Sequence, residues 1–160
     1  MQFLLMTLFA GAIVILDQLS KLWILNNVEL YTRVPAIPGL FHITYVRNTG
    51  AAFSSFEGAQ WLFALVFLVF TAAVLWEYFG KKHMPFTTLE RWCIAAIYGG
   101  GLANMIDRIR LGFVVDMIEV EFIHFPVFNV ADSFITCGCI LLIAHLALCN
   151  KEFWREGAEQ

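Results

Sequence analysis

Charge is scarce in this sequence. Only 14% of its 160 residues are charged, ten basic and thirteen acidic, against 60% hydrophobic and 16% aromatic. A soluble domain is roughly 25% charged, and so few charges cannot cover the surface of a compact domain of this length. The formal net charge of −3 supplies no basic footprint, which excludes nucleic acid as a partner. High apolar content excludes disorder. Internal repeats, linkers and low-complexity stretches are absent, so residues 1–160 read as one domain. No serine sits in a nucleophile elbow and no glycine loop is spaced to cradle phosphate. Cys93, Cys137, Cys139 and Cys149 all fall in apolar stretches, where free buried thiols are the default. His145 and Cys149 lie one turn apart but make a poor metal pair, so neither metal nor cofactor is expected.

What is abundant is long apolar sequence. A helix rising 1.5 Å per residue needs about 20 mostly apolar residues to cross a hydrocarbon core about 30 Å thick. Four stretches meet that length: residues 3–25, 59–78, 89–106 and 130–149. Thr87 and Glu90 have capping-box spacing at the start of the third, and Asn129 suits the N-cap of the fourth. Gly80, followed by Lys81 and Lys82, suits the end of the second. Trp23, Trp61, Trp76, Trp92 and Trp154 fall near span ends, as an interfacial belt requires. The first span is not read as a cleaved signal peptide, since it lacks a basic n-region and contains Asp17 and Lys21. The short turn with Lys81, Lys82 and Arg91, together with Lys151 and Arg155 in the tail, places both termini in the cytoplasm. On the opposite side, Phe41, Ile43 and Tyr45 alternate with His42 and Thr44, after turn signals at Pro35, Pro38 and Gly39. Residues 112–124 alternate similarly, with Val114, Asp116, Ile118, Val120 and Phe122 on one face, so a small sheet at the membrane surface is expected.

The few charges inside spans need partners or a task, because each costs roughly 2.5–3.5 kcal/mol there. Asp17 and Lys21 are i,i+4 and can pair, either as a tolerated ion pair or as part of a site. Asn104, Asp107 and Arg108 share one helix face; Asp107 can orient Arg108, or Arg108 can hold a carbonyl or anion. Gly99 to Gly101 favour close helix packing, and one facing a cleft would leave room for substrate. Asp132 can cap the fourth helix, whereas Asp116 sits in the apolar run VVDMI, where an unpaired carboxylate is expensive. If a returning loop brings the two together, they form a proton-sharing pair: one base for water, one acid for a carbonyl. Two other readings remain at this point: a proton-coupled carrier using Asp17, Asp107, Asp116 and Asp132 as a relay, and a non-catalytic assembly subunit.

Four motifs narrow the choice. GGGLANMIDRIRLGFVVDMI (99–118) and FPVFNVADSFI (125–135), with LDQLSK (16–21) and VRNTGAAFS (46–54), together resemble the lipoprotein signal peptidase family, in its order and over nearly the whole chain. The resemblance implies four transmembrane helices with a small extracytoplasmic β-cradle, in a bacterial inner membrane. It implies an aspartic endopeptidase that cuts diacylglyceryl-modified prolipoproteins before the lipidated cysteine, works among membrane lipids and is complete as a monomer. Asp116 and Asp132 would be the catalytic dyad. Asn48, Gly100, Asn104, Arg108 and Asn129 would line the substrate cleft, and Asp17, Lys21 and Asp107 would support it. Two departures from the family pattern are Met117, where a bulkier aromatic is frequent, and Ala103, where another glycine is common.

Overall fold

The computed structural model describes residues 1–50, 60–80, 84–150 and 153–155. Ala51–Ser54 of the second motif, Ala59 at the expected start of the second span, and Lys81, Lys82, His83 and Lys151 lie outside the described residues. Among the described residues, four helices and three strands run in the order α1 (Gln2–Asn27), β1 (Arg33–Ile37), β2 (Phe41–Asn48), α2 (Gln60–Phe79), α3 (Thr88–Leu111), β3 (Val114–Val120) and α4 (Val130–Leu148).

Among the described residues, α1, α2 and α4 are long and apolar enough to cross a membrane, and their outward faces carry leucines, valines and isoleucines. The expected third span, residues 89–106, differs. Helix α3 is long enough, but it runs to Leu111 rather than stopping near Ile106, so it takes Asp107, Arg108 and Arg110 into its final turns. Those charges, with Glu90 and Arg91 at the other end, lower its apolarity below that of the rest. It lies at the centre, packed along α4 and α1, with α2 resting on it more lightly. Its start is the expected capping box, with Thr87 accepting from Glu90 N–H and Glu90 accepting from Thr87 N–H. It ends at Gly112, whose left-handed φ of 78° turns the chain sharply into β3.

The glycine run lets α3 hold that central place. A methyl group added to Gly99 would lie 2.9 Å from the Ala10 carbonyl oxygen of α1, and one on Gly100 would lie 2.6 Å from the Ala131 carbonyl oxygen of α4. Gly101 faces Phe67 of α2, so three consecutive glycines serve three different neighbours.

The strands form one antiparallel sheet in the order β1-β2-β3. β1 was not foreseen, because Pro35 reads as a turn residue. It is an edge strand, however, and an edge tolerates a residue without an N–H. Alternation also fails in β3, where Val114, Val115, Asp116 and Met117 are all buried. Val115 and Met117 pack with Tyr45 against Ile24 near the end of α1, which clamps the sheet to the bundle. Asp116 points to the opposite face of the strand.

This packing yields a graded prediction. Gly99→Ala and Gly100→Ala should each lower the thermal midpoint of the detergent-purified protein by several degrees or abolish folding. Gly11→Ala, where an added methyl meets nothing within 4 Å, should leave the midpoint unchanged or raise it slightly. A thermal-shift series on the three variants checks the order.

Candidate active site

The site is built outward from Lys21. Its ammonium is 2% exposed and finds an oxygen for each of its three protons: Asp17 Oδ2 at 2.8 Å, Asp107 Oδ2 at 2.9 Å and Asn104 Oδ1 at 2.8 Å. The i,i+4 pairing of Asp17 with Lys21 is the one the sequence suggested. Asp107 departs from expectation, because it pairs with Lys21 instead of orienting Arg108, and it also accepts from Gln18 Nε2 at 2.8 Å and Val115 N–H at 3.2 Å. Asp17 Oδ1 accepts the N–H of Ala131 at 2.9 Å, tying α1 to the first turn of α4.

Asn129 is the second junction and is fully buried. Its side-chain oxygen accepts the Asp132 N–H at 2.9 Å, and its own N–H donates to Asp132 Oδ2 at 3.1 Å, a reciprocal cap on α4. Its Nδ2 donates to Asp116 Oδ1 at 2.7 Å and to Asn104 Oδ1 at 3.2 Å. Asn104 Nδ2 then donates to Asp132 Oδ1 at 2.7 Å, and Asn48 Nδ2 donates to Asp116 Oδ2 at 2.9 Å. The two aspartates, 16 positions apart in sequence, are therefore held by one set of three asparagines. Burial, and then the neighbouring Asp132 charge, push the Asp116 carboxyl up to about 7, against the two bonds from Asn48 and Asn129 that favour its ionised form.

Two cavities meet here. One, of about 970 Å³, is walled by apolar side chains of α2, α3 and α4, among them Phe63, Phe67, Phe70 and Ile135, and it reaches Asn48, Asn104, Arg108, Asp116 and Asp132. The other, of about 630 Å³, is a more polar groove along the sheet, lined by Arg33, His42, Arg47, Glu119 and His124. Asn48 and Asp116 line both. Arg108 stands at the rim with its guanidinium 4.3 Å from the centre of the Phe63 ring, donating to the Gly50 carbonyl at 2.9 Å. Its Nε is buried with no hydrogen-bond partner among the described residues.

Of the residues expected in the cleft, Asn48, Asn104 and Arg108 line it. Gly100 does not: its α-carbon presses on α4, and Gly101 is the glycine that faces the cavity. Asn129 lies behind the aspartates as a bracket between them. Gln18 and Phe63 were missed. Gln18 is signalled in retrospect by a polar amide three residues before Lys21 in an apolar helix, whereas Phe63 carries no signal distinguishing it from its aromatic neighbours. No group of three or more histidine, cysteine, aspartate or glutamate side chains that could hold a metal occurs among the described residues.

Residues 9–148, which include every site residue named above, match the family model for signal peptidase (SPase) II. The chain belongs to the signal peptidase II family. It is 45% identical over 140 residues to the lipoprotein signal peptidase of Streptococcus agalactiae serotype Ia, covering 88% of both chains. The corresponding enzyme of Streptococcus pyogenes serotype M5 is 40% identical over 131 residues, covering 82% of this chain and 85% of that one. A solved structure of a bacterial membrane enzyme superposes with a TM-score of 0.83 at 32% identity, covering 92% of this chain and 90% of the other. A second superposes at 0.78 and 33%, with 91% and 93% covered. As a signal peptidase II family member the protein is a peptidase, and its three apolar helices suit a bacterial membrane.

The raised Asp116 carboxyl couples stability to pH. Its folded-state value of about 7 lies above its ordinary 3.8, so its contribution to stability is full below about pH 4 and is lost as pH rises through 7. The thermal midpoint of the wild type should fall between pH 5 and pH 8, and Asp116→Asn should remove most of that slope. Paired thermal melts at the two pH values measure the difference.

Proposed function

We propose that this signal peptidase II family member is an aspartic endopeptidase that cuts diacylglyceryl-modified prolipoproteins immediately before the lipidated cysteine. The observation that carries the reading is the meeting of an apolar cavity and a polar groove at the buried Asp116, with Asp132 beside it on the cavity side. An amphiphile suits that junction. Its acyl chains occupy the apolar cavity, each buried CH₂ contributing about 0.8 kcal/mol, while its peptide lies along the sheet. The bond beside the lipidated residue then rests at Asp116 and Asp132.

The chemistry is general acid–base hydrolysis by the two carboxylates and water. One aspartate is ionised and removes a proton from water as the oxygen attacks the scissile carbonyl carbon. The other is protonated and gives its proton to the carbonyl oxygen, forming a gem-diol. In the second half the newly protonated carboxyl delivers its proton to the amide nitrogen and the C–N bond breaks. A gem-diol hydroxyl returns its proton to the other aspartate, leaving a carboxylic acid product and a free amine. Asn48 and Arg108 stand where they can bind substrate carbonyls, and the Arg108 Nε, which has no partner among the described residues, supports that role.

In this reading α3 is the fourth transmembrane helix, the termini are cytoplasmic, and the sheet and both aspartates face the extracytoplasmic side. One chain carries every group the reaction uses. The carrier reading fits less well, because Asp17 and Asp107 are both locked onto Lys21 instead of being free to relay protons.

Asp116→Asn and Asp132→Asn should each reduce cleavage of a diacylglyceryl prolipoprotein by about 10³-fold or more, read by gel shift with purified protein. Near-wild-type cleavage by either variant overturns the dyad. Proton flux in liposomes without any peptide product would instead mark a carrier.

A further inference from the structure

Lys21 lines neither cavity, yet it is one amide away from a candidate catalytic carboxylate. We propose that Lys21, acting through Asn104, is a positioning residue that makes Asp132 the ionised member of the pair and leaves the shared proton on Asp116. The inference rests on the aspartic-peptidase reading above and goes beyond it by assigning the two roles.

The two carboxylates each accept two hydrogen bonds, so their number does not distinguish them. Their donors do. Asn104 receives the Lys21 ammonium on its carbonyl oxygen, and a cation bound there draws electron density from the amide. The N–H bond that Asn104 directs at Asp132, at 2.7 Å, is strengthened accordingly. Asp132 also sits in the first turn of α4, accepts the N–H of Asn129 and faces the positive end of that helix. Asp116 has neither advantage. It lies in a strand, and its donors are Asn48 and Asn129, whose side-chain oxygens accept, among the described residues, only backbone N–H groups, from Gly50 and Asp132 respectively.

The remaining charges face the pair from α1, α3 and β3. From α1, Asp17 is paired with Lys21; from α3, Asp107 is paired with the same ammonium. Arg108, also on α3, acts on both aspartates. Asp116, facing from β3, also feels the Lys21 charge, so the Asn104 bond and the helix end distinguish the two carboxylates, not nearness to the cation alone. Asp132 therefore takes the proton from water, and Asp116 protonates the scissile carbonyl oxygen.

The test is the pH dependence of kcat for diacylglyceryl prolipoprotein cleavage by the full chain in detergent. Its acidic limb reports the ionised carboxylate, so Lys21→Met should move that limb upward by about one pH unit and leave KM unchanged, because Lys21 does not reach substrate. Should Lys21→Met not fold, Asn104→Leu keeps the Lys21 ion pairs, breaks the link to Asp132 and should shift the same limb. A ¹³C-carboxyl titration of the wild-type protein supplies a readout free of substitution, with Asp132 ionising at lower pH than Asp116. The inference is overturned if Asp116 ionises first, or if the variants lower kcat without moving the acidic limb, as a purely structural role would. Cleavage at a near-wild-type rate by Asp116→Asn or Asp132→Asn would be a different failure, that of the peptidase reading itself.

Discussion

A fully enclosed ammonium is expensive unless each of its protons is met, and removing one partner from such a pair leaves an uncompensated charge worth several kcal/mol. Lys21 meets that condition with two carboxylates and one amide oxygen. The condition dictates much else. Asp107 must come from α3 and Asp17 from the preceding turn of α1, so the two helices have one allowed register. The second oxygen of Asp17 then fixes where α4 begins, through the N–H of Ala131. A single cation thus sets the relation of three helices at the end of the bundle where the aspartates lie.

Much of this was legible because local spacing carries it. The Asp17–Lys21 pair, the caps at Thr87 and Asn129, the apolar helices and strand β2 all follow from contacts within a few residues. Contacts between distant segments were less legible. Asp107 had an obvious neighbour in Arg108, and nothing in its spacing shows that Lys21, 86 positions earlier, wins it. Arg108 turns away to Phe63 and the Gly50 carbonyl instead. The glycines show the same limit. A run of three announces close packing, but which of them faces which helix depends on the rotation of α3 about its axis, which hydropathy does not report. Pro35 misled for a different reason, since its cost in a sheet depends on whether the strand lies at an edge.

The unequal packing around α3 explains how an apolar cavity persists beside a tightly bonded polar cluster. α1 and α4 meet α3 across glycine and alanine, with little room between backbones. α2 meets it mainly through Phe67 and Phe70 against Tyr98, bulky rings that hold the helices apart. The polar network occupies the close contacts and the cavity opens on the wider side. Stability and access are thereby assigned to different helix pairs.

The reciprocal cap at Asn129 and Asp132 has a consequence for motion. Helix ends ordinarily fray, opening and closing their first turn at little cost because few contacts hold them. Here the residues that would fray are also the ones that position a carboxylate and brace its counterpart on β3. Each unwinding of that turn dismantles the constellation, and each rewinding restores it, so the lifetime of one helical turn bounds the fraction of molecules poised for chemistry.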